Sequence, residues 1–164
     1  GVQTCALPIS RPGHLRSLLL TLDGLTLGKE TDVSKPLHQL ADALSRRGIV
    51  VLISDLLDDP ARVVRALKHF RFRGTDVIVF HLMDPDELKF PFDRPTRFED
   101  METADELMAV PTLVRKDYLK ALDGFLVHYK QELGASGIDY NLISTDQPLE
   151  LALLAYLSMR ARDL

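Results

Sequence analysis

Three apolar segments of the chain have the pattern of buried β-strands. In residues 49–54, five consecutive aliphatic side chains precede Ser54, and residues 77–83 are nearly as apolar. Continuous runs, unlike alternating ones, are typical of parallel strands that are covered by helices on both faces. Residues 138–144 predict a third strand. We therefore expect one parallel sheet with helices on both faces, in which strand 49–54 is buried on both sides.

Amphipathic periodicity predicts helices between these strands. Leucines at helical spacing predict a first helix over residues 14–27, and Pro36 opens a second. Asp59 is the expected cap of a third helix that begins at Pro60. Further helices are expected over residues 113–133 and from residue 148 to about residue 160. The α-α-β-α-β order of the first half is that of a doubly wound α/β domain.

The alternation is interrupted between about residues 84 and 112. Proline and aspartate make residues 84–86 and 90–92 typical of loops, and residues 97–102 and 106–110 predict a small inserted hairpin. A doubly wound sheet would also need strands before His14, so we expect this one to lack its N-terminal strands. Strand 49–54 would then have an unpaired edge without lysine or proline, and residues 11–164 alone would aggregate or remain partly unfolded.

Residues 1–10 resemble a translated sequencing-library adapter. The codons GGA GTT CAG ACG TGT GCT CTT CCG ATC encode Gly1 through Ile9. A segment of this kind is excluded from fold reasoning. We interpret residues 1–10 as artefactual and residues 11–164 as a truncated domain whose native protein extends upstream. Cys5, the only cysteine, is then uninformative.

Composition excludes several classes of protein. The net charge of −4 argues against a general nucleic-acid binder, and no apolar run approaches the length of a transmembrane helix. A chain with a single cysteine cannot build a disulfide scaffold or a thiolate metal site. Hydrophobic residues make up 46% of the chain, enough for a core. A cytoplasmic domain fits best.

Asp55 is the candidate metal ligand. It follows the predicted strand 49–54, and ligands of parallel sheets bind beyond the carboxyl ends of the strands. Thr31, in the polar loop before the second helix, could reach the same rim. A carboxylate and a hydroxyl suit Mg²⁺, which prefers oxygen ligands. The alternative is that Asp55 begins a turn and caps the next helix.

The remaining chemical candidates are weaker. The chain lacks a Walker A loop and a dinucleotide-binding glycine fingerprint, and its histidines share no metal-ligand spacing. We interpret each histidine as a surface or packing residue. The basic side chains between residues 62 and 73 are interpreted as a solvated helix face, and Asp58 as favouring a helix N-terminus.

Six short segments match one known family, in order along nearly the whole chain. They are residues 13–16 (Gly-His-Leu-Arg), 30–32 (Glu-Thr-Asp), 50–60 (Val-Val-Leu-Ile-Ser-Asp-Leu-Leu-Asp-Asp-Pro), 76–81 (Asp-Val-Ile-Val-Phe-His), 95–100 (Pro-Thr-Arg-Phe-Glu-Asp) and 138–140 (Ile-Asp-Tyr). From about Arg11 to Met159 the chain resembles the C-terminal part of the bacterial domain-of-unknown-function 58 family. The fold of that family is similar to a von Willebrand factor A domain.

The resemblance implies a metal-ion-dependent adhesion site for Mg²⁺. In such sites a first loop, Asp-x-Ser-x-Ser, supplies a carboxylate and two hydroxyls, a second loop supplies a threonine, and a third an aspartate. Thr31 and Asp55 match the second and third loops, and the first would lie upstream of this chain.

The resemblance also implies a function and a partner. The expected function is a non-enzymatic, Mg²⁺-dependent protein-binding module that acts with a MoxR-type AAA+ ATPase in the assembly or activation of other proteins. The alternative is a Mg²⁺-dependent phosphotransferase or phosphohydrolase of a doubly wound fold. That enzyme would need a nucleophilic aspartate after its first strand, where the binding module has Asp-x-Ser-x-Ser.

Overall fold

The computed structural model describes residues 13–24, 34–44, 48–99 and 105–161. The predictions for residues 1–10, for Thr31 and for the hairpin turn at residues 103–104 lie outside these ranges. The chain divides into two compact units, residues 1–32 and residues 33–164. The elements in chain order are α1 His14–Asp23, α2 Ser34–Ala43, β1 Ile49–Ser54, α3 Pro60–Phe72, β2 Asp76–Met83, α4 Pro85–Lys89, β3 Thr96–Glu99, β4 Glu106–Ala109, α5 Pro111–Gly134, β5 Asp139–Ser144 and α6 Leu149–Arg160.

The main sheet of the second unit is parallel, as predicted. Its strand order is β1-β2-β5, so β2 is central. Ile49 of β1 lies opposite Asp76 of β2, and Ile78 of β2 lies opposite Asp139 of β5. The architecture is thus a mixed α/β, Rossmann-like fold, which confirms the predicted class.

Helices cover both faces of the central strand. On one face, Val77 and Val79 belong to a core that is completed by side chains of α2, α3 and α5. On the other face, Ile78 and Phe80 pack against β5 and α6, and the ring of Phe80 meets that of Tyr156 edge to face at 5.4 Å. The prediction of a two-sided helical cover is confirmed for β2.

β1 is not buried on both faces, and that prediction was wrong. Ile49, Val51 and Ile53 are between 50% and 63% exposed, whereas Val50 and Leu52 pack against the first core. Within the described ranges, the second core draws its side chains from β2, β5 and α6 only. The continuous apolar run therefore forms a strand at the edge of the described sheet, and one apolar face of that strand is exposed.

The segment between β2 and α5 contains a helix where a loop was predicted. Asp84 accepts a hydrogen bond from the Asp86 N–H, and the Glu87 side chain accepts one from the Asp84 N–H. This capping box, with Pro85 in the first turn, is sufficient to start the short helix α4. β3 and β4 then pair antiparallel, with Thr96 opposite Ala109, which confirms the hairpin.

The predicted long helix is also present. α5 runs from Pro111 to Gly134, and its Tyr129 and Leu133 are buried. α1 ends at Asp23, earlier than predicted, because Gly24 forms its C-cap. In the part of the chain that the structure describes, no helix is both long and apolar enough to span a membrane.

The two faces of β1 should respond differently to a charge. We expect Val51→Lys, on the open face, to change the free energy of unfolding by less than about 0.5 kcal/mol and to reduce aggregation. Leu52→Lys, which places an ammonium against the core, should destabilise by about 3 kcal/mol. Urea unfolding and light scattering of both variants measure these effects. Equal destabilisation by the two substitutions would contradict the one-sided burial of β1.

Candidate functional site

A carboxylate follows each strand of the main sheet at its carboxyl end. Asp55 follows β1, Asp84 follows β2, and Asp146 lies just beyond β5. The Thr145 hydroxyl donates a hydrogen bond to Asp84 Oδ2 at 3.3 Å, which joins the ends of β2 and β5. Asp84 also caps α4, and Asp146 Oδ1 accepts a hydrogen bond from the Ser144 hydroxyl. Asp84 and Asp146 thus both accept hydrogen bonds from neighbouring residues.

Asp55 also accepts local hydrogen bonds, and all of the described ones reach one of its two carboxylate oxygens. Its Oδ1 accepts from the Leu57 N–H at 3.3 Å and from the Ser54 hydroxyl at 3.4 Å. Among the described residues no donor reaches Oδ2. The first contact is that of an Asx turn, so the interpretation of Asp55 as a turn residue is confirmed. The helix cap is Asp59, whose side chain accepts from the N–H groups of Ala61 and Arg62.

The start of α2 is tied to the loop that follows β1. The buried Ser34 donates its N–H to Asp58 Oδ2 at 3.3 Å, and Asp58 Oδ1 accepts from the Asp59 N–H at 2.6 Å. Asp58 therefore joins the start of α2 to the loop that follows β1, a role that the sequence did not predict. Thr31, shortly before Ser34, lies outside the described residues.

His81 holds the backbone at Asp55 from the neighbouring strand. This β2 side chain is fully buried, and its Nε2 lies 2.8 Å from the Asp55 carbonyl oxygen. Because a carbonyl can only accept, Nε2 carries the proton. Nδ1 of the neutral ring then accepts the Tyr140 hydroxyl at 2.7 Å. Both ring nitrogens are thus satisfied, as a buried histidine requires.

Burial keeps this network uncharged. Desolvation lowers the pKa of His81 from its ordinary value of 6.5, in spite of the opposing hydrogen bond to the Asp55 carbonyl and the charge of its carboxylate. Burial likewise raises the pKa of the Tyr140 hydroxyl to about 12. At neutral pH a neutral imidazole on β2 and a neutral phenol on β5 are therefore linked to the backbone at the end of β1.

The next residue, Leu56, is fixed in an unusual conformation. Its φ is 56°, in the left-handed region, and its side chain is completely buried. The Tyr129 hydroxyl of α5 donates to the Leu56 carbonyl oxygen at 3.3 Å. A left-handed conformation of a leucine costs about 1 kcal/mol or more and persists only where the surroundings impose it. The buried side chain and the tyrosine impose it here.

Sequence reasoning placed Asp55 at this edge but missed the residues that position it. His81 was interpreted as a surface or packing residue, whereas it is the centre of the buried network. One signal was available, because a polar residue within an apolar strand must find hydrogen-bond partners. No pattern in the sequence names Tyr140 and Tyr129 as the partners, since they lie on β5 and α5.

The donor atoms around Asp55 are oxygens, as Mg²⁺ prefers. The Ser54 hydroxyl and the Asp55 carboxylate lie side by side at the strand end. Within the described ranges no group of three or more histidine, cysteine, aspartate or glutamate side chains is arranged to hold a metal. The described residues thus provide part of an oxygen ligand set and not a complete one.

Comparison with known proteins identifies one family. The model of the family described as "Protein of unknown function DUF58" matches residues 7–124 of the chain. Neither a curated protein nor a solved structure matches it.

The buried imidazole should make stability depend on pH. Because the folded pKa of His81 lies below 6.5, the unfolded chain takes up a proton first as the pH falls, and the free energy of unfolding decreases. We expect about 1 kcal/mol of this decrease between about pH 7.5 and about pH 5.5 to disappear in His81→Gln, which retains a donor for the Asp55 carbonyl. Urea unfolding at the two pH values measures it.

The matched control for this experiment is His128→Gln, which changes an exposed histidine of α5. It should keep the pH dependence of the unsubstituted protein. The same loss of pH dependence in both variants, or no change in His81→Gln, would contradict a buried neutral His81.

Proposed function

Because the chain belongs to the family described as protein of unknown function DUF58, we propose that it is a non-enzymatic protein-binding module that uses Mg²⁺. The proposed site is a metal-ion-dependent adhesion site of the von Willebrand factor A type. One observation carries this proposal: Asp55 stands at the carboxyl end of β1 with Oδ2 free of described donors. Ligands of parallel α/β sheets bind at this edge.

In this proposal Asp55 and Thr31 would hold the ion. The bond from Ser34 to Asp58 joins the beginning of α2 to the loop that carries Asp55, and the role of Thr31 rests on the family resemblance. An upstream Asp-x-Ser-x-Ser loop would complete the oxygen ligands. The ion, which usually keeps several waters, would offer a coordination position to a carboxylate of the partner.

His81 and Tyr129 would act as positioning residues for this site. They hydrogen-bond to the carbonyl groups of Asp55 and Leu56. Residues of β2 and α5 therefore hold the turn that presents the Asp55 carboxylate. Sites whose supporting shell is hydrogen-bonded and packed keep their ligands in place without reorganisation. That rigidity supports a binding role.

The proposed partner is a MoxR-type AAA+ ATPase, and the proposed role is the assembly or activation of other proteins in the cytoplasm. The partner follows from the family resemblance. The absence of a membrane-spanning helix from the described part of the chain is compatible with this location.

Binding of such an ATPase should depend on Mg²⁺ and on Asp55. We expect a purified MoxR-type ATPase from the same genome to bind the full-length protein that contains this chain more tightly with MgCl₂ than with EDTA. Asp55→Asn replaces an anionic ligand by a neutral amide oxygen, and Thr31→Ala leaves water in place of the hydroxyl, so each should weaken binding in Mg²⁺ by about tenfold. Biolayer interferometry measures the dissociation constants, and calorimetry measures binding of Mg²⁺ alone.

Asp146→Asn is the matched control, because it changes a carboxylate at the same edge of the sheet but beyond β5. It should leave binding unchanged. Equal affinity in MgCl₂ and EDTA would contradict the metal-dependent module. Release of phosphate from a phosphate ester that requires both Mg²⁺ and Asp55 would favour the phosphohydrolase instead.

A further inference from the structure

A pocket lies between the β3–β4 hairpin and the first turns of α5. Its volume is about 400 Å³, within the range of ligand sites in proteins. Aromatic and aliphatic side chains form nearly all of its wall, and one carboxylate completes it. The lining residues used below are Phe90, Phe98, Leu107, Val114, Asp117 and Tyr118.

The aromatic wall is held in a fixed arrangement. The Phe90 ring lies 4.5 Å from that of Tyr118 and 5.9 Å from that of Phe98, measured between centroids. Arg115 fastens the backbone behind these rings, because its Nε donates to the Phe90 carbonyl at 3.0 Å and its Nη2 to the Phe92 carbonyl at 2.6 Å. Phe90 itself has a φ of 45°, a left-handed conformation that these contacts maintain.

The lining of the pocket includes one carboxylate. Asp117 is the one charged side chain among the described lining residues, and no described residue forms an ion pair with it. Two arginines of this region already have carboxylate partners: Arg115 pairs with Asp93 at 2.8 Å, and Arg97 with Glu106 at 3.1 Å. Aromatic faces and an unpaired carboxylate together attract a cation that has an apolar stem.

The surface around the pocket is apolar and open. Leu107 and Leu113 are each more than 65% exposed. Exposed apolar patches beside a pocket are typical of protein–protein contacts, and a small molecule in the pocket would leave these side chains uncovered. The occupant therefore needs apolar side chains on either side of its cation.

We propose that the pocket binds a peptide segment of a partner protein, with a lysine or arginine inserted between the aromatic rings and Asp117 and with apolar neighbours on the surrounding patch. The cation would neutralise Asp117, and its methylene groups would pack on Phe90 and Tyr118. This site uses no metal ion, so it is independent of the function proposed above.

Selection from a random peptide library displayed on phage tests the proposal. The full 164-residue chain is the bait, and the buffer contains EDTA so that Mg²⁺-dependent binding does not contribute. We expect enrichment of peptides in which lysine or arginine is flanked by apolar residues. The enriched peptides are then synthesised, and their dissociation constants are measured by fluorescence anisotropy.

Two variants locate the binding site. Asp117→Asn, which keeps the shape of the side chain, should weaken the selected peptides by about fivefold. Val114→Arg, which brings a competing cation to the pocket, should abolish binding. Asp123→Asn, at an exposed position on the same helix, is the control and should bind as the unsubstituted protein does. Thermal unfolding shows whether each variant is folded.

Several results would overturn the proposal. They are an absence of enrichment, enrichment of acidic or uncharged peptides, and equal affinity for Asp117→Asn and the unsubstituted chain. Dimerisation that increases with concentration in sedimentation and is lost in Val114→Arg would show that a second copy of the chain covers this surface instead.

Discussion

The pairing of β2 with strands on both of its sides is the interaction on which the rest of the structure depends. β2 is hydrogen-bonded to β1 along one edge and to β5 along the other, and it contributes side chains to both cores. Its alternate residues serve different cores, Val77 and Val79 the larger one and Ile78 and Phe80 the smaller. A shift of register by one residue would exchange the two sets, so burial on both faces fixes the alignment of all three strands.

The same strand supplies the polar group that organises the candidate site. His81 follows Phe80 in an otherwise apolar sequence, on the face directed toward α5, where its ring lies against Phe125 and Tyr129. An imidazole without partners in that position would carry a desolvation penalty, so its two hydrogen bonds stabilise the fold. They also connect β2 to β5 and to the residue that follows β1. Stability and the placement of Asp55 are therefore linked through one residue.

The sequence predicted those features that are determined locally. The cap at Asp59, the proline at the start of α3 and the apolar run of β2 each depend on neighbouring residues, and all were confirmed. The open face of β1 could not be predicted, because it depends on which strands α6 covers. α4 was missed because proline and aspartate are common both in loops and at helix starts. The capping partner Glu87 was the distinguishing signal.

The prediction of the site was limited in a similar way. Asp55 could be placed at the carboxyl edge from strand direction alone, and the structure confirms that position. The partners of His81 come from residues far along the chain, Tyr140 on β5 and the carbonyl of Asp55 itself. Neither is implied by local periodicity. The hydrogen bond from the Tyr129 hydroxyl to the Leu56 carbonyl likewise depends on how α5 packs against the sheet.

The position of β1 at the border of the described sheet has a consequence for motion. Backbone amides of β2 lie between two neighbouring strands, whereas those of β1 that point away from β2 have no described partner. Local opening should therefore begin at β1, and its outward amides should exchange with solvent long before those of β2. The turn at Asp55 does not share this freedom, because side chains of β2 and α5 hold its carbonyl groups. β1 is thus hydrogen-bonded to one described strand, whereas the turn that follows it is held by two further side-chain hydrogen bonds. Backbone fluctuations of β1 should therefore leave the position of the turn at Asp55 largely unchanged.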